Sequence, residues 1–334
     1  MRDVRTLERA SAMLATAFGP VIQAALSDPG VVEIMANPDG RLWLDRLGTG
    51  REDTGERLMA ADAERVIRLV ASHIGRDVTP ASPIVSAELP GGGERFEGVM
   101  PPVAPAPCFA IRRPAGRVIT LDEYIASGVI RPAHAETLRQ AVASRANILV
   151  VGGTSSGKTT LANALLAEIA GTAQRVVILE DTRELQCAAP DMVALRTQPG
   201  VASLPDLVRS TLRLRPDRII VGEVRGGEAL DMLKAWNTGH PGGIATLHAN
   251  SAAAGLTRLE HLIGEAARRV PRDLIAEAID LIAFISRATG VRRVETLMRV
   301  TGLGPDGYTV EPVQPELRLV GEDPLSQPAE RTPS

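Results

Sequence analysis

The chain has 334 residues, 44% of them hydrophobic but only 2% aromatic, and a formal net charge of −3. The length suits two domains with cores built from Ala, Val, Leu and Ile, and an acidic balance, with pI about 6.0, argues against a generally basic nucleic-acid binder. The two cysteines, Cys108 and Cys187, have neither metal-ligand nor disulfide spacing, so a reducing cytoplasm is expected. No apolar run approaches the roughly 18–20 residues of a membrane span. Charges recur in the opening MRDVRTLER, which leaves no signal-peptide core. The reading is of a soluble chain, or one peripheral to a membrane.

In chain order, residues 3–17 have helical periodicity, and 20–26 add a second short helix. Residues 31–35 and 41–44 read as strands around the turn Asn37-Pro38-Asp39-Gly40, a β-hairpin. Residues 61–74 form an amphipathic helix. Residues 83–89 and 94–100 are strands around Pro90-Gly91-Gly92-Gly93, and 108–112 is a further strand. Residues 1–113 thus make a small α+β domain, followed by a linker over 114–130 with a short helix near 121–126.

From 131 the pattern changes to alternating helices and strands. Helices are expected at 132–144, 158–170, 204–213, 227–236, 252–264 and 272–278. Strands are expected at 147–151, 175–179, 218–222, 243–247, 281–286 and 291–300. Such alternation implies an α/β domain over 131–311 with a mainly parallel sheet, in which ligands bind at the carboxyl ends of strands. From 312 the chain is rich in Pro, Glu and Ser and reads as a disordered tail.

The stretch ANILVVGGTSSGKTTLANALLAEIA, residues 146–170, organises the second domain. An apolar strand runs into GGTSSGKT, which fits G-x-x-x-x-G-K-[ST], and a helix follows. This is the order a phosphate-binding loop needs, because backbone N–H groups and the helix dipole together make an anion site. Gly152, Gly153, Thr154, Ser155, Ser156, Gly157, Lys158, Thr159 and Thr160 are the expected ATP-binding residues. Lys158 reaches the β- and γ-phosphates, and the Thr159 hydroxyl ligates Mg²⁺. Only Lys158 and Lys234 among the 37 basic residues are lysine, so a lysine at this position reflects a need for a compact ammonium.

A P-loop also needs acids to hold metal and orient water. In RPDRIIVGEVRGGEALD a buried strand delivers Glu223 to the carboxyl end of the sheet, read as lying beside the P-loop strand. Glu223 can act on water or hold Mg²⁺ through water; a surface ion pair is the plain alternative. Glu180-Asp181 ends the neighbouring strand and can reach the same place, or cap the following turn. Arg209, Arg213, Arg215 and Arg218 form a basic stretch, assigned to a subunit interface or to phosphate, with a solvated face as the alternative. His240 sits in a Pro-Gly-Gly loop and reads as structural.

The segments GGTSSGKTT (152–160), ILEDTREL (178–185), RPDRIIVGEVRGGEALDMLKAWNTGHPGGIATLHANS (215–251) and GERFEGVMPPV (93–103) resemble the secretion, or traffic, ATPase superfamily. The resemblance is to its type IV secretion branch and, within that, to the TrbB conjugal-transfer ATPases. It implies a RecA-like ATPase domain behind an N-terminal domain, assembled as a homo-hexamer. It further implies ATP and Mg²⁺ as cofactors, at the cytoplasmic face of the inner membrane, with other secretion or conjugation proteins as partners. By position it makes Glu223 and Glu180 the catalytic acids, the general base being open between them, and His248 a sensor of the γ-phosphate. Arg95 and Arg112 correspond to arginines of the first domain that approach the nucleotide, from their own subunit or a neighbour. Arg113 leaves open which arginine of IRRP points at phosphate. A type II secretion or pilus-motor ATPase is the near alternative, although two cysteines cannot build the four-cysteine zinc insertion common there. A RecA-like DNA translocase is the distant one, and no basic, aromatic-rich stretch gives a direct nucleic-acid signal.

Overall fold

The structure is a computed structural model and describes residues 4–313 except 115, 199, 289 and 290. Helix α1 (Val4–Ser27) is two helices joined at Gly19, whose φ of 70° and ψ of 177° precede Pro20. Proline lacks the N–H and clashes with the preceding turn, which explains the expected division. Strands β1 (Val31–Ala36) and β2 (Arg41–Arg46) form the hairpin, and β3 (Gly50–Arg57) extends it. After α2 (Ala60–His73) come β4 (Ile84–Glu88), β5 (Arg95–Val99) and β6 (Cys108–Arg112). The six strands pair antiparallel in the order β3-β2-β1-β6-β5-β4. Leu14 and Ile22 of α1 and Val66, Ile67 and Val70 of α2 are buried in one cluster with Ile34, Phe96 and Ile111 of the sheet.

Register places four charged residues in one row across this sheet. Glu33 opposes Arg112, Arg112 opposes Arg95, and Arg95 opposes Glu88. Directly paired residues share a face, and like charges placed opposite each other destabilise a pair. The adjacent arginines therefore gain from an anion in front of them.

The second sheet follows α3 (Leu121–Ala126) and α4 (Pro132–Ala143). A reciprocal capping box starts α3, in which Thr120 bonds the Glu123 N–H and the Glu123 side chain bonds the Thr120 N–H. Then come β7 (Ile148–Gly152), α5 (Lys158–Ala167), β8 (Arg175–Glu180), β9 (Asp191–Arg196) and α6 (Leu204–Thr211). They are followed by β10 (Arg218–Val224), α7 (Glu228–Asn237), β11 (Ile244–His248), α8 (Ala252–Ala266) and α9 (Arg272–Ala278). The last described elements are β12 (Leu281–Ala288), β13 (Val291–Gly304) and β14 (Gly307–Pro312). The order is β14-β13-β12-β7-β11-β10-β8-β9. Pairing is parallel from β12 through β9, and β13 and β14 join antiparallel.

Strand β7 is buried on both faces, which is why its sequence is a continuous apolar run. Ile148 and Val150 pack with Leu138 of α4 and Leu161 of α5, while Leu149 and Val151 pack with Trp236 of α7 and Leu256 of α8. The expectation that Glu223 lies beside the P-loop strand is corrected by the strand order: β11 stands between β7 and β10. His248, the last residue of β11, therefore comes between Lys158 and Glu223.

Two further readings change. Arg218 is fully buried at the start of β10, the end remote from Glu223. It donates to Gln174 Oε1 (2.5 Å), Val142 O (2.6 Å) and Gly242 O (3.1 Å). Burial lowers its pKa to about 10; it is an internal strut, and faces no phosphate. At the other end of the chain, Pro312 closes β14 and the Val313 N–H bonds Leu297 O at 2.8 Å. The tail expected from 312 lies, from 314 onward, outside the described residues. Among the described residues no helix is long and apolar enough to cross a membrane.

Candidate nucleotide-binding site

The loop between β7 and α5 is shaped by residues that accept unusual backbone angles. Ser155 has φ 57° and Gly157 φ 103°, the second in a region that costs glycine nothing. A methyl group on Gly152 would lie 2.2 Å from Ile285 O and 2.6 Å from Ser156 Oγ, so only glycine fits. Gly152→Ala is expected to shift the loop, with a stability loss of about 1–3 kcal/mol and loss of nucleotide binding; a thermal melt and an ADP titration check both.

No side chain caps the start of α5, and its first turn carries no acid. Its free N–H groups and dipole thus remain available for an anion. Ser156 is almost fully buried, and its Oγ has no hydrogen-bond partner. Lys158 is also buried. Its Nζ donates to Gly153 O at 3.0 Å and lies 3.1 Å from His248 Nε2 and 3.4 Å from its Nδ1. Burial lowers the Lys158 pKa, Glu223 opposes that shift, and Arg112 adds to it. An anion entering the loop would offset the desolvation of this ammonium and supply the acceptor that Ser156 lacks. These features fit a polyphosphate.

Beyond Lys158, the residues form a chain. His248 Nε2 lies 2.7 Å from Glu223 Oε1, and Arg225 Nε donates to Glu223 Oε2 at 2.6 Å. Arg225 also reaches Asp181 at 3.5 Å. Burial first, then the Lys158 charge, lower the His248 pKa, which keeps the imidazole neutral at neutral pH. With the proton on Nε2, the ring donates to Glu223, a tautomer assigned from that partner; Lys158 Nζ stands beside the ring, nearer to Nε2 than to Nδ1.

Glu180 and Glu184 occupy different places. Glu180 is buried, and its Oε1 accepts from the Glu184 N–H (2.9 Å) and the Leu185 N–H (2.7 Å). It braces the loop after β8, and burial raises its pKa against the pull of those two bonds. The acid that touches the P-loop is Glu184: the Thr159 hydroxyl donates to its Oε2 at 3.1 Å. Arg95 donates to Glu184 Oε1 at 2.5 Å, so an arginine of the first sheet already reaches the second. Glu88 follows the same path, accepting from the Arg183 N–H at 3.3 Å and pairing with Arg196.

Arg112 makes no side-chain hydrogen bond or ion pair among the described residues, and its charge is felt at Lys158. Arg113 instead donates to the carbonyls of Asp28 and Val31 within its own sheet. Of the two, Arg112 is the one left for phosphate. Thr154 is exposed on the loop and Thr160 half-buried in the first turn of α5. His240 Nδ1 lies 2.9 Å from Pro216 O, away from the loop. Among the described residues no three His, Cys, Asp or Glu side chains form a metal-holding group. Mg²⁺ would thus need ligands from phosphate and water besides Thr159, as is usual for that ion.

Sequence reasoning did not single out Glu184 or Arg225. Both stand in the segments that carried the resemblance, at i+4 from Glu180 and i+2 from Glu223, and only the folded loops reveal where they turn.

Residues 25–291 match the profile of the family described as "Type II/IV secretion system protein". The chain is 50% identical over 313 residues to a probable conjugal transfer protein TrbB of Sinorhizobium fredii, covering 93% of this chain and 96% of the relative. It is 49% identical, with the same coverage, to the conjugal transfer protein TrbB of Rhizobium radiobacter. A crystal structure of the pilus retraction motor PilT with bound ADP has a similar fold, with TM-score 0.60 and 21% identity over 87% of this chain and 80% of that one. With most of its length matched and half its residues shared with conjugal transfer proteins, the chain belongs to the type II/IV secretion system protein family.

Proposed function

We propose that the chain is an ATP hydrolase of a conjugal transfer or type IV secretion system, turning hydrolysis into domain motion for pilus assembly or substrate transfer. The observation that carries this reading is the chain Lys158–His248–Glu223–Arg225 at the mouth of the P-loop. It places a phosphate-binding cation, a neutral imidazole and a carboxylate in line at the carboxyl end of a parallel sheet. A plain nucleotide-holding scaffold needs no such acid.

In this reading residues 131–311 are a RecA-like ATPase domain, 114–130 a linker, and 1–113 a domain that closes on the nucleotide. Lys158 and the loop N–H groups hold the β- and γ-phosphates. Bound Mg²⁺ would neutralise charge on the phosphate oxygens, held by Thr159 and, through water, by Glu223 or Glu184. Glu223 accepts a proton from the attacking water, and His248 reports the γ-phosphate to Glu223. In this reading the protein works as a homo-hexamer with other transfer proteins at the cytoplasmic face of the inner membrane; its relatives, named as conjugal transfer proteins, support the transfer role.

The test is multiple-turnover phosphate release by purified protein with Mg²⁺ and ATP. Lys158→Ala is expected to abolish it together with nucleotide binding, because the phosphates lose their main protein counter-ion. A wild-type protein that binds ATP but never releases phosphate more than once would end the proposal.

A further inference from the structure

We infer that Arg292, the second residue of β13, on the β12 side of the P-loop, is the residue that holds the α-phosphate of the bound nucleotide. This rests on the nucleotide-binding reading above and assigns a residue that neither the motifs nor the sequence pattern brought forward.

The sheet order gives the direction of the ligand. Lys158, His248 and Glu223 mark where the γ-phosphate lies, and β11 and β10 are on one side of β7. A triphosphate that follows the loop from that end carries its α-phosphate away from them. On the other side of β7 stand β12 and β13. Ile285 of β12 touches the loop twice: its carbonyl packs on Gly152, and its side chain packs on Gly157. Arg292 packs there too. A methyl group at Gly157 would lie 3.4 Å from Arg292 Cδ and 3.7 Å from Arg292 Nε. Along β13, Arg292 shares a face with Val294, which is buried in one cluster with Leu161 of α5. The guanidinium therefore stands on the α5 side of the sheet, at the level of the P-loop.

Among the described residues Arg292 makes no ion pair, and its Nε is buried with no hydrogen-bond partner. In register it faces Arg287, a second cation on the same face. The hairpin's carboxylate, Glu295, is bonded to Ser286 at 2.9 Å. A buried guanidinium donor without a partner is costly, and like charges opposite each other add to that cost. A phosphate at the start of α5 removes both penalties, and guanidinium geometry suits phosphate oxygens.

The experiment is calorimetric titration of ADP and of ATP with Mg²⁺ into wild-type protein and Arg292→Gln, with a thermal melt of each. Glutamine keeps the stem against Gly157 and removes the charge. The expected result is an unchanged melt and a loss of about 10- to 100-fold in affinity, equal for ADP and ATP because the γ-phosphate is not involved. Should the variant melt early, Arg292→Lys, which keeps a cation on a similar stem, is titrated in its place and is expected to bind ADP more weakly than wild type. ADP affinity within twofold of wild type in a folded variant overturns the inference and leaves the ATPase reading intact. A loss confined to ATP also overturns it, by moving Arg292 to the γ-phosphate. Failure of the wild type itself to bind ADP would sink the nucleotide reading and this inference together.

Discussion

Glu223→Gln is expected to bind ATP as the wild type does and to turn over about 10²–10⁴ times more slowly, the range for removal of a general base. The substitution preserves shape and changes chemistry. A carboxylate accepts on both oxygens, and here one faces His248 Nε2 while the other faces Arg225. Both neighbours act as donors: Arg225 Nε donates to one oxygen, and the tautomer assigned to His248 places its Nε2–H against the other. An amide can accept on one side only; its NH₂ must confront either the imidazole N–H or the guanidinium. The variant thus loses the group proposed to take the proton from water and also disturbs the chain that links it to Lys158. Lys158, the loop N–H groups and Thr159 are untouched, so affinity should hold. Equilibrium ATP binding and steady-state phosphate release, measured on the same preparation, separate the two effects. Turnover near the wild-type rate would move the base to Glu184 or Glu180.

The P-loop was legible because one short motif dictates strand, turn and helix together. Ile148–Gly152 had to be buried on both faces, and Gly152 had to be glycine against Ile285 O. The strand order was not legible. Chain order brings β10 before β11, yet β11 inserts between β7 and β10, and a parallel crossover leaves no trace of this in local pattern. Three strands escaped notice for one physical reason. β3 (GREDTGER), β9 (DMVALR) and β14 (GYTVEP) stand at the edges of their sheets and bury no residue fully, so none carries the buried core positions that mark the other strands. The acids show a finer limit. ILEDTREL offers Glu180 and Glu184, and sequence position favours the first because it ends a strand. The loop then folds back, Glu180 is consumed by two backbone N–H groups, and Glu184 arrives at Thr159. Arg112 and Arg113 divide in a similar way: alternation along β6 sends them to opposite faces, and Arg113 is consumed by the Asp28 and Val31 carbonyls.

Arg112→Ala is expected to lower turnover by about 10³–10⁵-fold, the worth of an arginine that neutralises transition-state charge on a phosphoryl group, while ATP affinity changes little. The row Glu33–Arg112–Arg95–Glu88 runs across the first sheet, and three of its members bear on the second. Glu88 pairs with Arg196, Arg95 with Glu184, and the Arg112 charge is felt at Lys158. Arg95 and the Thr159 hydroxyl share one carboxylate, that of Glu184. In the proposed function Mg²⁺ would draw on Thr159 and, through water, on Glu184, and a metal-bound water would then compete with Arg95 for that carboxylate. We propose that this exchange releases Arg95 toward phosphate and lets the first domain close, as a rigid body, about the linker at 114–130. Arg112 then follows on the same strand pair. An arginine used only in the closed state contributes to the transition state more than to ground-state binding, and that predicts the split between turnover and affinity. Mixing Arg112→Ala with Lys158→Ala subunits reads the geometry. If Arg112 serves a neighbour's nucleotide, some mixed interfaces regain both groups and activity partly returns; if it serves its own, the mixture stays inactive. Size measurements with and without ATP complete the test. A protein that remains a monomer at all concentrations with ATP, and hydrolyses at full rate, would rule out the hexamer.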